Sequence, residues 1–500
     1  MKRITILMML LSILSKLFGF AREITLSTTY GAGAISDSFI FAYNLQSTLF
    51  SVFVAAFVTG FIPMFTRIER EDGEERAIEF TNNVQNVMLV IAIIVSALVF
   101  IFTEQFISIL VPLATPEALS YMIPFTKVAI FTVMFTCVIQ ILTGFLQIRK
   151  SFLFPVALAF PMNIILIGTI ILSKSTSVNI LPYGILFAYG TQALLIMLYA
   201  RRKGFKFKFH LDLHDKHLHT MLILAIPLII GSATSTIGGL VNQGLASGIN
   251  GGISHVNYAT KIGGMVEGIF GMAIVSVMYP TLSAAVANRE MDKAEHEFQH
   301  SLSSLLIFII PCALGMVLLA QPIVEFVYMR GEFSMDEVLV LAPVFKMYSL
   351  GLVSYSVYGL LARVFYSFQN TRTPMLISIM NISIQIGLGL LLANMIGLHG
   401  ITLAMAIAST IGMITLLSLA IRLFDNFNYQ LFFKELGKVV LAAILMGVVV
   451  KFGHTMFVGM MSDKIALVVT IAVAAVSYLI ALIILKVDVI NDLVISFKQR

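Results

Sequence analysis

"LFGFAREITLSTTYGAGAISDSF", residues 17–39, sets Arg22, Glu23 and Asp37 inside the first two apolar stretches of the chain. A charge at the centre of a membrane-spanning helix costs roughly 2.5–3.5 kcal/mol on insertion scales. Helices that carry such residues must turn them toward a polar interior or a partner rather than lipid. Composition makes the membrane setting plain. Of the 500 residues, 59% are hydrophobic and 12% charged, whereas soluble domains hold about 45–50% and about 25%. Mean hydropathy is +0.96.

The apolar runs are long and continuous, so the segments read as helices and not as the alternating strands of a barrel. Fourteen stretches stand out, near 4–28, 36–66, 81–112, 118–147, 152–174, 178–200, 218–247, 254–286, 299–329, 338–368, 373–396, 398–423, 432–455 and 464–486. The expected fold is an all-α polytopic membrane protein of about 14 transmembrane helices. Arginine and lysine gather in the even-numbered connections, at Arg67, Arg70, Arg76, Arg149, Lys150 and in "RRKGFKFKFHLDLHDKHLH" (201–219). Positive charge is retained on the cytoplasmic side during insertion, so both termini are expected there. The same bias accounts for the net charge of +6 without nucleic acid as a partner. The first twenty residues resemble a signal peptide but lack a small-residue cleavage site, so a retained first helix is expected.

Cys137 and Cys312 fall within apolar runs and read as small buried hydrophobes. The four histidines between His210 and His219 show no ligand spacing, so a solvated, partly amphipathic interfacial linker is expected there and no metal site. No phosphate-binding loop, nucleophile elbow or metal-binding helix motif is found, so neither an enzyme nor a cofactor is expected.

The chain also repeats itself. "TGFIPMFTRIEREDGEERAIEF" (59–80) echoes "SVMYPTLSAAVANREMDKAEHEF" (276–298), and "GFLQIRKSFLFPVALAFPMNI" (144–164) echoes "RVFYSFQNTRTPMLISIMNIS" (363–383), which aligns Asn163 with Asn381. Six helices separate the copies, so both face the same way. The expected organisation is two pseudo-symmetric six-helix lobes, 1–212 with the basic linker and 213–425, followed by a two-helix appendix at 426–500.

Few ionisable residues remain at membrane depth. Lys16, Arg22 and Asp37 lie in the first two helices, and Lys261 lies in the eighth. Asp37, Asn44, Thr48 and Ser51 recur on one face of the second helix. "GSATSTIGGLVNQGLASG" (231–248) is unusually polar, and Asn257 and Lys261 follow one turn apart. These stripes suit a hydrated, net-cationic cavity for an anionic group such as a phosphate. Lys16, Arg22, Asp37, Asn44, Asn257 and Lys261 are the candidate substrate-binding residues. Glu23 is expected at a helix end, and the competing reading is an Arg22–Asp37 ion pair that serves packing alone.

The combination of "SKLFGFAREITLSTTYGAGAISDSFIFAYNL" (15–45), "GFIPMFTRI" (60–68), "NYATKIGGMVEGIFGMAIVSVMYPTLS" (257–283), "MRGEFS" (329–334) and "YSLGLVSYSVYGLLARVFYSFQNTRTP" (348–374) resembles the MurJ/MviN lipid II flippase family of the multidrug/oligosaccharidyl-lipid/polysaccharide exporter superfamily. The resemblance implies a bacterial cytoplasmic-membrane flippase. Its cargo would be undecaprenyl-diphosphate-linked peptidoglycan precursor, moved by alternating access, with the last two helices forming a groove for the lipid tail. It also implies that Arg22 and Asp37 occupy functional family positions and that Lys16 and Lys261 replace arginines. Phe50, Ser51, Ala55 and Thr260 depart from the family pattern, and 220–247 and 373–396 contain no carboxylate for a cation site. Other undecaprenyl-linked glycans therefore stay open as cargo, and a cation-coupled drug antiporter or a wall-synthesis scaffold are further alternatives. Expected partners are lipid II, membrane lipid and cell-wall synthesis proteins, with the chain itself a monomer.

Overall fold

A computed structural model describes residues 2–424 and 427–487; within it, the side chains of 2–6, 9, 46–59 and 224–235 lie outside the described residues. The described chain is helical throughout. The helices are α1 (Lys2–Tyr30), α2 (Ala34–Glu71), α3 (Glu74–Ile101), α4 (Thr103–Leu110), α5 (Pro116–Ala129), α6 (Thr132–Ile148), α7 (Leu153–Ala157), α8 (Ala159–Ser175), α9 (Ile180–Arg202) and α10 (Lys216–Ala246). They continue with α11 (Gly252–Ala287), α12 (Met291–Leu318), α13 (Ala320–Tyr328), α14 (Met335–Leu350), α15 (Leu352–Ser367), α16 (Arg372–Ile396), α17 (Leu398–Ile421), α18 (Tyr429–Val458) and α19 (Asp463–Ile484). In hydrocarbon every backbone N–H and C=O must be satisfied within the chain, and helices do this locally.

Each of the fourteen apolar stretches falls on one helix or one consecutive pair. By length and apolar composition, nine of the described helices qualify as membrane spans, or eleven when the bent pairs α5–α6 and α14–α15 each count as one. This measure does not establish the expected count of fourteen. Outside the qualifying set are α1, α2 and α10, at 29, 38 and 31 residues long enough to cross a core about 30 Å thick.

Contacts divide the chain into two compact units. One holds the chain through Ser254 together with Arg330–Phe333, and the other holds His255–Met329 and the chain from Ser334 onward. The expected lobe boundary at 212/213 follows the internal repeat; by contact, α10 packs along α2 and joins the first unit.

The repeat appears in how the helices break. α3 gives way to α4 at Phe102, and α12 gives way to α13 at Leu319. The α5–α6 pair bends by 45° and the α14–α15 pair by 40°. Pro124 lies inside α5 and Pro343 inside α14, while Pro63 and Pro280 lie inside α2 and α11. Proline removes a helical hydrogen bond and crowds the preceding turn, and it recurs at matching places in the two copies.

In the first unit, α2 packs against α3, α5, α6 and α10, and α1 lies along α8. An aromatic column, Phe61 on Phe80 at 6.1 Å and Phe65 on Phe145 at 5.9 Å between ring centroids, fills its interior. Arg149 clamps the ends of α2 and α3 through Glu69, at 3.0 Å, and Glu74. In the second unit, α18 and α19 pack on each other, with α18 against α12.

The basic connection after α9 is built rather than loosely solvated. Asn82, Asn83 and Asn86 of α3 are fully or almost fully buried. Asn82 Nδ2 donates to the Lys206 carbonyl at 2.9 Å, and the Lys208 amide donates back to Asn82 Oδ1 at 3.0 Å. Asn83 exchanges the same pair of bonds with Asp212, at 2.8 and 2.7 Å, and Asn86 Nδ2 reaches the carbonyls of Lys208 and His210. Phe205 is buried against Phe145, and Asp215 caps α10 through the amides of His217 and Leu218 while binding Arg76 at 2.8 Å.

A buried polar group left without its partner costs about 1–3 kcal/mol. Asn82→Ala is therefore expected to lower stability by about that amount and to open Lys206 and Lys208 to trypsin. Thermal unfolding and limited proteolysis of the purified protein check this; an unchanged cleavage pattern would mean that Asn82 does not hold the segment.

Candidate functional site

α1 carries Arg22 and Glu23 into the first unit, where they are 4% and 3% exposed. Arg22 Nη2 donates to Glu23 Oε1 at 2.5 Å and Nη1 donates to Asn163 Oδ1 of α8 at 3.5 Å. The guanidinium lies 4.0 Å from the centroid of the Tyr43 ring on α2. Adjacent helical residues point about 100° apart, so the pair closes only because the arginine side chain is long enough to bend back. Asn163 is oriented by its own Nδ2, which donates to the Ala159 carbonyl at 2.8 Å. Arg22 Nε has no hydrogen-bond partner among the described residues. Three helices thus enclose one cation with an aromatic face, one carboxylate, one amide oxygen and a donor to spare.

One expectation changes here, and the competing reading is not met. Glu23 is not a helix-end residue, because α1 continues to Tyr30 and the carboxylate is buried beside Arg22. Arg22 and Asp37 do not pair: the arginine takes Glu23, and Asp37 takes Ser254.

Asp37 lies in the first turn of α2 and is 2% exposed. It accepts from the Ser254 amide at 2.7 Å and from the Ser254 hydroxyl at 2.6 Å, and the Gly251 and Ile253 amides bond the same carboxylate. Because α11 begins at Gly252, the carboxylate serves as a cap supplied by another helix, meeting amides that have no acceptor inside α11. The turn before it needs glycine. Gly251 has φ of +72°, and a Cβ there would lie 2.3 Å from the Ala32 carbonyl oxygen.

Lys16 is exposed on α1, and Asn44 is half-buried on α2 beside Tyr43. Asn257 and Lys261 are half-buried on α11 within the second unit, and no described carboxylate pairs with Lys261. Thr48 and Ser51, the far end of the α2 stripe, lie outside the described residues, as do Phe50 and Ala55. Sequence reasoning missed Tyr43 as the ring under Arg22. It found Asn163 only as a repeat position, without seeing that the amide faces a guanidinium.

The second unit holds a separate feature, a cavity of about 440 Å³ walled by α12, α18 and α19 with Val266 of α11. Phe308, Cys312, Gly315, Met446, Ile471 and Tyr478 line it, and its surface is almost wholly apolar. Tyr478 keeps its hydroxyl out of the way by donating to the Ile307 carbonyl at 2.7 Å, so the ring faces the cavity without a polar demand. Gly447 lets α18 approach α12 closely, since a Cβ there would lie 3.1 Å from Leu314. At Gly315 the space is open, with no atom within 4 Å of an added Cβ.

Comparison with known proteins gives a consistent answer. The family model described as lipid II flippase MurJ matches residues 26–471. A probable lipid II flippase MurJ of Rhizobium meliloti (strain 1021) is 26% identical over 416 residues, which covers 80% of this chain and 77% of the relative. One of Bdellovibrio bacteriovorus is 24% identical over 478 residues, covering 93% and 91%. Among solved structures, lipid II flippase MurJ in an inward closed conformation superposes with a TM-score of 0.85 at 23% identity, covering 97% of this chain and all of that one. An inward-facing multidrug resistance transporter of the MATE family and MOP superfamily gives 0.66 at 14% identity, covering 81% and 93%. At these identities the two structures speak to fold alone.

Breaking a buried ion pair leaves one charge without compensation and typically costs about 3–5 kcal/mol. Glu23→Ala is expected to destabilise the protein by about that much, and the Arg22→Ala/Glu23→Ala double variant by clearly less than the sum of the singles. A thermal-unfolding double-mutant cycle checks this. Additive effects would show that the pair is not coupled.

Proposed function

We propose a transport path from one premise, that this chain belongs to the lipid II flippase MurJ family. It is a transporter and not an enzyme. It translocates lipid II across the inner membrane as a multi-pass protein and so serves peptidoglycan synthesis and cell-wall growth. The match along residues 26–471 carries this reading. The polar cluster around Arg22 and the apolar cavity of the second unit are the features that the proposed path uses.

Lipid II joins an undecaprenyl tail to a disaccharide-pentapeptide through a diphosphate. The tail is at home in hydrocarbon, but the diphosphate must cross a core about 30 Å thick. In our reading Arg22 receives it. A guanidinium presents parallel N–H donors that suit phosphate oxygens, which a lysine ammonium does not. A desolvated arginine without a counter-charge is costly, so Glu23 holds the charge between transport cycles. The diphosphate displaces that carboxylate and also engages Nε, the donor without a described partner. Tyr43 and Asn163 keep the guanidinium in place during the exchange.

Lys16, exposed on the same helix, makes early contact with the headgroup, and Asn44 borders its path. Lys261 and Asn257 contribute from the second lobe as the lobes alternate in access. Asp37 works through structure, by anchoring the start of α11. The tail lies in the apolar cavity along α18 and α19, within the appendix of 426–500. The two lobes of this cycle are 1–212 and 213–425, with both chain termini cytoplasmic and the protein a monomer that meets cell-wall synthesis proteins.

Arg22→Ala, at normal membrane level, is expected to abolish rescue of cells depleted of their lipid II flippase, and Arg22→Lys to restore it only in part. Full rescue by Arg22→Ala would remove Arg22 from the path. Gly315→Phe places a ring in the open part of the apolar cavity and is expected to slow lipid II translocation at least tenfold without loss of folded protein. An assay of lipid II accessibility at the outer face reads this, and an unchanged rate would place the tail elsewhere.

A further inference from the structure

The basic connection between α9 and α10 has a regularity that lipid II transport does not use. Asparagines of α3 bond the backbone at Lys206, Lys208, His210 and Asp212, every second residue. A chain bonded along one edge at alternate residues is extended, and its side chains alternate between two faces. The odd-numbered residues are Phe207, Phe209, Leu211 and Leu213, which are 41%, 78%, 43% and 66% exposed. They form an apolar ridge about 20 Å long at about 3.3 Å per residue. The ridge cannot fold under, because buried Asn82, Asn83 and Asn86 hold its backbone.

We propose that residues 206–213 form a rigid interfacial blade that seats on anionic membrane lipid, with Phe207, Phe209, Leu211 and Leu213 entering the headgroup–acyl boundary and the neighbouring cations contacting lipid phosphates. Position supports this. The α9 span ends at Arg202, only a few residues before the ridge, and α10 begins at Lys216, only a few after it. Charge supports it as well. Arg201, Arg202, Lys203, Lys206, Lys208 and Lys216 are all exposed. The acidic residues nearby are engaged: Asp215 is buried against Arg76, and Asp212 accepts from the His214 amide at 2.8 Å. Exposed phenylalanines set among lysines match a surface that is apolar below and anionic above, the pattern of peripheral membrane-binding segments. The asparagines do the ordering in advance, so seating requires no folding of the segment.

The test uses the full chain with Cys137 and Cys312 replaced by serine, and a nitroxide placed at Phe209→Cys or at Lys206→Cys. Both positions leave the asparagine bonds to the backbone intact. In nanodiscs of phosphatidylcholine with one quarter phosphatidylglycerol, the label at 209 is expected to be relaxed more by oxygen than by an aqueous nickel chelate, and the label at 206 the reverse. Replacing Arg201, Arg202 and Lys203, the exposed cations at the end of the α9 span, with glutamine is expected to lower the phosphatidylglycerol retained on purification at least threefold. If the label at 209 meets the chelate as freely as that at 206 in lipid with or without phosphatidylglycerol, the blade stands in water and the proposal fails, whether or not a protein partner covers it. If label 209 is buried but lipid retention is unchanged, anionic recognition is overturned.

Discussion

Charge inside hydrocarbon has to be met from within the protein, and Arg22 is where this chain meets that demand most fully. One cation draws on Glu23 of its own helix, the ring of Tyr43 on α2 and the amide oxygen of Asn163 on α8. A buried ion pair alone is weak evidence of stability, since desolvation can exceed the Coulomb gain. The added ring and amide alter the balance by supplying attraction without a further charge to desolvate. They also bind three helices to one point, so the cluster is a packing element, and on the proposed path it is the anion site as well. The Arg22 Nε stays without a partner among the described residues, as does the Nε of the structural clamp Arg149.

Asp37 solves the same problem with backbone. Its carboxylate is not balanced by a cation but accepts the free amides at the start of α11 and the Ser254 hydroxyl. Amides at a helix start carry partial positive charge and suit an anion there. The first turn of α2 and the first turn of α11 are thereby locked to each other at the point where the chain leaves its first compact unit. Gly251 belongs to the same device, because only a residue without Cβ can make that turn against Ala32.

How much of this was legible depended on whether the signal was periodic or local. Apolar runs mark helices directly, and every one of the fourteen stretches is helical. The repeat was legible because Pro63 and Pro280 recur at matching places in the sequence, each inside a long helix. Glu23 was misread because charge next to charge on a helix does not suggest pairing, and only the bend of a long side chain makes it so. The asparagines of "TNNVQN" (81–86) gave no warning, since their partners are backbone groups more than a hundred residues away. Three asparagines in an apolar helix did carry one usable signal: buried amides must find partners. The apolar cavity could be anticipated only from the extra helix pair, because its shape rests on a close approach at Gly447 and an open space at Gly315 that no pattern announces.

The two copies of the repeat then differ in an instructive way. Asn163 and Asn381 occupy matching places, each in the first long helix beyond a bent pair. Asn163 offers its oxygen to Arg22, whereas the Asn381 oxygen is buried and has no partner among the described residues. A duplicated frame therefore retains the acceptor on both sides but a guanidinium on only one. Had both copies kept the cation, a diphosphate would meet equal wells in the two lobes. With the cation in one copy, the proposed path takes the headgroup to the first lobe. The apolar cavity belongs to the second unit, so the proposed path divides an amphiphile by its chemistry: one copy of the fold would receive the charge, and the helices added after the other would receive the hydrocarbon.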